Sequence, residues 1–328
     1  MAKTLIFGAG AVGSIYGYIL TRASSNVTFV CRGNYTALQT SGLTIRSKIF
    51  GNQTCHPNVS STVAEAAQKH GPFDYILVCS KAFPGTAELI RDAVTNDTAI
   101  VLTQNGIGIE EDYARLYPNN LLISGVVWLP TTQVEPGVIE HGPLERFEIG
   151  TFPADAGAAG KAKAKHLAEM WQKAGATCVL HEDVQPRRWV KLAVNASWNP
   201  CTALSLCDDA NLLRSSGERS ESVIREVMTE VGKIAAAAGY PDAVTGELIE
   251  KDLERPRSRL ETGGKEPSML TDVRNGRRME VEAILGNTVR LAEKFGVDVP
   301  RLGLLYVLAK ALDFSTAKTD GWKPIARH

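Results

Sequence analysis

The sequence predicts an α/β protein, with an N-terminal doubly wound parallel sheet followed by a C-terminal all-helical domain. In the first half, short apolar runs alternate with helical segments, the order typical of a parallel sheet covered by helices. A glycine-rich turn joins the first strand to the first helix. From about Gln185 onward strand signals cease and long helical segments follow. We therefore predict one domain over residues 1–185 and a second over residues 186–328.

The strands of the first domain are predicted from apolar runs at residues 4–7, 27–31, 75–79, 100–103 and 121–127. Between them the pattern predicts helices at residues 63–69, 86–94 and 110–116. Pro136 and Gly137 separate two further β-like runs within 131–141, and 146–151 has the pattern of another strand. We expect these last runs to extend the same sheet, with antiparallel pairing as one possibility.

The second domain is predicted to consist of helices at residues 188–206, 218–238, 243–253, 268–294 and 301–314. Gly239 follows four alanines and is typical of a helix end. Pro200 lies inside the first of these helices and is expected to kink it at the preceding turn.

Composition is that of an ordinary globular enzyme. The chain has 328 residues, 44% of them hydrophobic and 22% charged, with a formal net charge of zero. Without a long basic run, nucleic acid and anionic membranes are disfavoured as partners. The first strand begins within a few residues of Met1, and no apolar stretch has the length of a membrane span, so we expect a cytoplasmic protein. Six scattered cysteines and six histidines lack metal-ligand spacing, so no metal is predicted.

The turn after the first strand carries the pattern G-x-G-x-x-G, formed by Gly8, Gly10 and Gly13. Its place between a strand and a helix is the context in which this pattern binds dinucleotides. Gly8 allows a tight turn, Gly10 lets backbone amides approach a pyrophosphate, and Gly13 lets the helix pack closely on the strand. We therefore predict a Rossmann-type fold whose cofactor-binding loop comprises Gly8, Ala9, Gly10, Ala11, Val12 and Gly13.

The end of the second strand indicates which dinucleotide is bound. An NAD site usually has Asp or Glu there, on the ribose 2′-hydroxyl, whereas this chain has Arg32. A guanidinium makes a forked, charge-assisted contact with a 2′-phosphate. We therefore predict NADP(H) as the cofactor. The plain alternative is a surface arginine at a strand end.

Three polar residues fall four apart on the first predicted helix of the second domain, namely Lys191, Asn195 and Asn199. This spacing places one cation and two amides on one helix face among apolar neighbours. Such a set suits a small substrate with a carbonyl or hydroxyl group, although a solvated polar stripe is the common alternative. Trp198, beside Asn199, either shapes the same pocket or faces the core.

Further polar residues stand at strand ends and late in the chain. Lys81 follows the third predicted strand of the sheet and Asn105 follows the fourth, at the edge where open α/β sheets bind ligands. Ser268, Asp272 and Glu280 lie in the segment 268–294, where one continuous helix would place Asp272 and Glu280 on a shared face.

Taken together, these motifs resemble the ketopantoate reductases (2-dehydropantoate 2-reductases). The resemblance rests on W-x-K-x-x-x-N-x-x-x-N-P at residues 189–200 with Thr-Ala-Leu after it, on S-M-x-x-D at residues 268–272 with Glu280, on the opening G-A-G-A-V-G, and on Lys81 and Asn105. These pieces occur in the family's order and span nearly the whole chain.

The resemblance implies an NADPH-dependent reduction of 2-dehydropantoate to pantoate, in pantothenate and coenzyme A biosynthesis. It implies that Lys191 is the general acid and that Glu280 keeps this lysine charged. Substrate binding falls to Asn105, Asn195, Asn199 and Ser268, while Lys81 and Asn105 lie beside the cofactor. An ammonium suits this role, because hydride addition to a ketone builds negative charge on oxygen.

Two other functions remain open. One is a related NAD(P)H-dependent D-2-hydroxyacid dehydrogenase, or 2-keto acid reductase, that acts on another substrate; a preference for NADH and for acids without a 4-hydroxyl would indicate it. The other is a non-catalytic NADPH-binding sensor, against which Lys191 and Glu280 argue. A homodimer is one of the assemblies that the sequence leaves open.

Overall fold

The computed structural model describes residues 1–318, which form two compact units. The first unit comprises Met1–Gln104 and Ile109–Val184. The second comprises Asn105–Gly108 and residues 185–318. The short segment Asn105–Gly108 therefore groups with the helical unit, apart from the rest of residues 1–184. The assignment of cofactor to one domain and substrate to the other stays a prediction.

The first unit is built from strands and helices that alternate along the chain. Its strands are β1 (Lys3–Phe7), β2 (Asn26–Val30), β3 (Leu43–Ser47), β4 (Gly51–Cys55), β5 (Asn58–Ser60), β6 (Tyr75–Val78), β7 (Ala99–Leu102), β8 (Leu122–Trp128), β9 (Thr131–Glu135), β10 (Val138–His141), β11 (Arg146–Phe152) and β12 (Cys178–Leu180). Its helices are α1 (Ala11–Arg22), α2 (Tyr35–Ser41), α3 (Val63–His70), a 3-10 helix (Ala87–Ala93), α4 (Glu110–Leu116) and α5 (Ala158–Lys173).

The main sheet of this unit follows the order β12-β11-β8-β7-β6-β1-β2-β5. Its central pairs, from β5 through to β8, are parallel. Strand β11 pairs antiparallel with β8, as the sequence allowed. The strands β1, β6 and β7 are almost wholly buried, which explains their continuous apolar sequences. The predicted doubly wound sheet is confirmed.

A second sheet has the order β4-β3-β10-β9. The predicted β-like runs within 131–141 form the hairpin β9–β10, and β10 pairs in parallel with β3. The expectation that these runs extend the main sheet is therefore wrong. Strand β4 (GNQTC) is exposed and polar, so its sequence has no hydrophobic pattern that predicts a strand or the second sheet.

The second unit is helical. Its helices are α6 (Gln185–Ser205), α7 (Asp209–Ser216), α8 (Glu218–Ala237), α9 (Gly246–Arg257), α10 (Ser268–Arg274), a π-helix (Glu282–Gly286), α11 (Asn287–Phe295) and α12 (Pro300–Lys318). No strand occurs between residues 185 and 318, as predicted. Helix α6 packs against α8, α10 and α12, and most of its residues are buried. Asp208 and Thr245 cap α7 and α9 with side-chain oxygens.

The predicted single helix over 268–294 is wrong. Helix α10 ends at Arg274, and Gly276 adopts a φ of 63° just beyond it. The Arg277 amide donates to the Asp272 carbonyl at 2.8 Å, which closes the helix end. Residues 277–280 have no helical structure, and helix resumes at Val281, directly before the π-helix. Glu280 consequently stands on a connecting segment and shares no helix face with Asp272.

Among residues 1–318, we find no helix with both the length and the apolarity that crossing a membrane requires.

Candidate active site

The glycine-rich loop between β1 and α1 has the shape that its sequence predicts. Gly8 has a φ of 103°, and a Cβ there would lie 2.7 Å from the Ser80 nitrogen. A Cβ on Gly13 would lie 2.1 Å from the Gly8 carbonyl oxygen. Gly10, by contrast, has open space beside it, and α1 begins at Ala11 without a side-chain cap. The loop thus leaves the first amides of α1 accessible, a geometry that fits a dinucleotide pyrophosphate.

The loop is held in place from the end of β2. The buried Asn34 amide donates to the Ala9 carbonyl at 2.5 Å and to Gln133 Oε1 at 2.8 Å. Gln133 Nε2 donates back to Asn34 Oδ1 at 3.0 Å. Arg32, two residues earlier, is exposed. Gln133 comes from β9, 99 residues away in sequence, so no local signal pointed to it.

Lys191, Asn195 and Asn199 all lie on the continuous helix α6, at successive four-residue steps. Asn199 is 3% exposed, and its Nδ2 atom has no hydrogen-bond partner among residues 1–318. Its Oδ1 accepts from Ser268 Oγ, at the start of α10, over 3.5 Å. Buried amide donors without partners are rare in folded proteins, so Asn199 Nδ2 marks a position where a ligand oxygen would be stabilised.

The segment Asn105–Gly108 brings a third amide to this face. Asn105 Nδ2 donates to Glu280 Oε2 at 3.1 Å, and Asn105 Oδ1 accepts from Asn195 Nδ2 at 3.5 Å. Gly106 has a φ of 100°, and a Cβ there would lie 2.2 Å from the Ala283 carbonyl oxygen. Glycine is therefore needed for the segment to lie against the π-helix. The π-helix itself was not predicted.

Lys191 lies on the same helix and is half-buried. Burial and the positive charge of Arg188 together lower the pKa of Lys191 to about 8, although the negative charge of Glu280 opposes both. An amine with such a pKa exchanges its proton near neutral pH, as a general acid must. Perturbed groups of this kind concentrate at functional sites.

The candidate site of the second unit therefore contains one titratable amine, one buried carboxylate and several amides. Such a set can bind an oxygen that gains negative charge and can protonate it. Asn105, Asn195 and Glu280 form one hydrogen-bonded chain, and Asn199 is joined to Ser268. Arg32, Lys81 and the glycine-rich loop belong to the first unit. Lys81 is half-buried just after β6, and its carbonyl oxygen accepts from the Phe83 amide at 3.0 Å.

Two residues of α6, Trp198 and Arg188, have positions in the structure that the sequence alone did not determine. Trp198 is 5% exposed and its Nε1 donates to Asp252 Oδ2 at 2.8 Å, so the indole belongs to the core. Arg188 is 3% exposed on α6, and its Nη1 donates to the Gly106 carbonyl at 3.0 Å. No sequence signal indicated that Arg188, the residue before Trp189, would be buried. Within residues 1–318, no cluster of His, Cys, Asp or Glu is arranged to hold a metal ion.

Comparison with known proteins identifies the family. The model "Ketopantoate reductase PanE/ApbA" matches residues 4–154, and its C-terminal counterpart matches residues 183–313. The crystal structure of 2-dehydropantoate 2-reductase from Methylococcus capsulatus is 34% identical, with a TM-score of 0.83, and the match covers 97% of this chain and 99% of that one.

Two more distant structures share the fold. D-mandelate dehydrogenase with NADH and anilino(oxo)acetate is 22% identical, with a TM-score of 0.82 over 97% of this chain and 100% of that one. A dimeric ketopantoate reductase from Staphylococcus aureus is 20% identical, with a TM-score of 0.76 over 96% and 99%. The chain belongs to the ketopantoate reductase family, a family of oxidoreductases.

Proposed function

We propose that this protein reduces 2-dehydropantoate to pantoate with NADPH, with Lys191 as the general acid. The observation that carries the proposal is the half-buried Lys191 amine, whose pKa lies near 8 beside the buried Glu280. The name of the Methylococcus capsulatus relative supports the same reaction. The product would enter pantothenate and coenzyme A biosynthesis.

The residues of the second unit divide the work of the reaction. Bound NADPH supplies the hydride for the ketone carbon. In this proposal the Lys191 ammonium would stabilise the negative charge that develops on the ketone oxygen, and it would donate the proton that completes the hydroxyl. Glu280 favours the ammonium form of Lys191 and orients Asn105. The Asn199 amide, which lacks a protein partner for Nδ2, donates to the substrate together with Asn195 and Ser268.

The cofactor proposal concerns the first unit. Gly8, Gly10 and Gly13 would hold the pyrophosphate against the start of α1, because the space beside Gly10 is open. Arg32 would pair with the 2′-phosphate, since it is exposed at the end of β2 and no acidic residue stands there. Lys81, just after β6, would contact the nicotinamide end of the cofactor. A cofactor contact is likewise proposed for Asn105. NADP(H) rather than NAD(H) is the cofactor that this set favours.

A second candidate is a D-2-hydroxyacid dehydrogenase that acts on another 2-keto acid. The fold likeness to D-mandelate dehydrogenase, a structure with NADH, supports it. The chemistry of Lys191 is the same in both candidates, so only the substrate and cofactor preference separate them.

The deciding experiment follows the loss of NADPH absorbance with ketopantoate and with a panel of other 2-keto acids, with NADH in parallel. The proposal predicts the highest kcat/KM for ketopantoate with NADPH. Preference for a bulkier or non-hydroxylated acid with NADH would favour the second candidate. Tight NADPH binding without turnover of any 2-keto acid would overturn both and leave a sensor. Lys191→Ala serves as the control for contaminating activity.

We propose further that the protein is a cytoplasmic homodimer. All six cysteines are free, as in a reducing compartment. Helix α12 buries Leu302 on one side and exposes Leu304 by 60%, Val307 by 63% and Phe314 by 59%. A stripe of this kind at helical spacing suits pairing with a second copy. Sedimentation of the wild type and of a Leu304→Asp, Val307→Asp variant tests this; a wild-type monomer at micromolar concentration would contradict it.

A further inference from the structure

Arg188 carries a positive charge into the interior of the second unit. It is 3% exposed on α6, one turn before Lys191. Burying a guanidinium costs stability unless hydrogen bonds and charges compensate for it. The motif W-x-K-x-x-x-N does not include this residue, and the reaction proposed above assigns it no task. Its contacts therefore call for a reason.

One contact of the guanidinium is with the segment that carries Asn105. Arg188 Nη1 donates to the Gly106 carbonyl oxygen at 3.0 Å. The same segment is held from the other side, because the Ile107 amide donates to the Ala283 carbonyl at 3.2 Å and Asn287 Nδ2 donates to the Ile107 carbonyl at 2.7 Å. Arg188 thus joins this segment to α6 through a backbone carbonyl.

The position of Asn105 depends on that link. Its Nδ2 donates to Glu280 and its Oδ1 accepts from Asn195 of α6 over 3.5 Å, a length at the limit of a hydrogen bond. A contact this long does not by itself hold the segment. The charge-assisted bond from Arg188, at the adjacent residue, is the shorter and stronger attachment to the same helix.

We propose that Arg188 is a positioning residue of the reaction, fixing the segment Asn105–Gly108 on α6 so that Asn105 stays between Glu280 and Asn195. The inference rests on the proposed function, because it assigns Arg188 to the same site. Its charge has a second consequence, since it favours release of the proton from Lys191. Arg188 touches no reacting atom in this scheme and acts through Asn105 and Lys191.

Two substitutions separate the two effects. Arg188→Lys keeps the charge but loses the planar guanidinium, so we expect kcat/KM to fall about tenfold or more without a shift in the alkaline limb of its pH profile. Arg188→Gln removes the charge and keeps an amide donor, so we expect that limb to move to higher pH. Arg219→Gln, an exposed arginine on α8, is the matched control and should leave both unchanged. Thermal unfolding of each variant verifies that it is folded.

The effect of Arg188 on the pKa of Lys191 can also be measured by a titration that does not depend on the activity assay. Isotope-labelled N-methyl groups on the lysines report the Lys191 titration by NMR, with Lys191→Ala identifying its signal. The midpoint should rise in Arg188→Gln and stay in Arg188→Lys. Wild-type kcat/KM in both variants, or a lower melting temperature with an unchanged pH profile and Lys191 midpoint, would overturn the role of Arg188 alone. A wild-type protein that reduces no 2-keto acid would overturn the proposed function and the positioning role with it, whatever the titration shows.

Discussion

Asn105 donates its amide N–H to Glu280 over 3.1 Å, although 175 residues separate the two in sequence. Both residues belong to the helical unit, because the short segment Asn105–Gly108 groups with that unit. Since Asn105 Oδ1 also accepts from Asn195, this one side chain connects Glu280 to helix α6. Glu280, which stands outside any helix, is thereby tied to the helix that carries Lys191.

The first prediction concerns the charge of Glu280. Glu280→Gln keeps the shape but removes a negative charge that raises the pKa of Lys191. The lysine should then lose its proton at lower pH, so the alkaline limb of kcat/KM should move to lower pH and the maximum should fall about tenfold to hundredfold. The pH profile measures both. Glu261→Gln, an exposed acid, is the control; an unshifted limb in Glu280→Gln would remove Glu280 from this role.

The second prediction is the pH dependence of the wild type. Reduction needs the ammonium form of Lys191, which is present below its pKa of about 8 and is lost above it. The rate of keto acid reduction should therefore fall as pH rises through about 8, while oxidation of the hydroxy acid, which needs the neutral amine, should rise. Lys191→Arg keeps a charge that does not dissociate, and it should lose turnover by about a hundredfold or more. A flat profile across this range would argue against proton transfer by Lys191.

The third prediction uses the buried amide of Asn199. Within residues 1–318, Nδ2 has no protein partner and Oδ1 accepts a long, 3.5 Å bond from Ser268, so Asn199→Leu removes little hydrogen bonding from the folded protein. The free energy of unfolding should change by less than about 1 kcal/mol, whereas the KM for the keto acid should rise at least about tenfold. Ser197→Ala on the same helix is the control, because its hydroxyl already donates to the Ala193 carbonyl. Equal KM values in the two variants would contradict substrate binding by Asn199.

Local sequence patterns were sufficient for part of this site. The glycine spacing predicts the loop because the steric demands on Gly8 and Gly13 come from residues of the same strand, turn and helix or from the adjacent strand end. The spacing of Lys191, Asn195 and Asn199 predicts a shared face because all three lie on one continuous helix. In both cases the relevant geometry is set within a short piece of backbone.

Other features depend on contacts between segments distant in sequence, which hydrophobic periodicity cannot predict. The bond from Arg188 to Gly106 and the pairing of Asn34 with Gln133 join residues 82 and 99 positions apart. The break after α10 is different, because Asn275 and Gly276 are a recognisable helix end that the long apolar pattern outweighed.

The fourth prediction concerns Trp198, whose indole N–H donates to the buried Asp252. Burial raises the pKa of Asp252, and the bond from Trp198 opposes that rise. Trp198→Phe should therefore lower the free energy of unfolding by about 1–3 kcal/mol at neutral pH, because a buried acceptor loses its donor. The ranking of keto acids by kcat/KM should stay unchanged, since the indole faces the core. Urea unfolding measures the change in free energy, and kcat/KM values for the panel of 2-keto acids measure the ranking. A changed ranking would place Trp198 at the substrate.

The fifth prediction tests the cofactor preference. Arg32→Ala should raise the KM for NADPH about tenfold to hundredfold, because a charge-assisted contact with the 2′-phosphate is lost, while the KM for NADH should change little. Arg46→Ala, at another exposed arginine of the same unit, should change neither value and controls for the loss of positive charge. Asn34 provides a comparison, because its amide donates to the Ala9 carbonyl of the glycine-rich loop. Asn34→Ala should therefore weaken the binding of NADPH and NADH to the same extent. If Arg32→Ala instead weakened NADH and NADPH equally, Arg32 would be supporting the loop, and the choice of NADPH would need another residue to explain it.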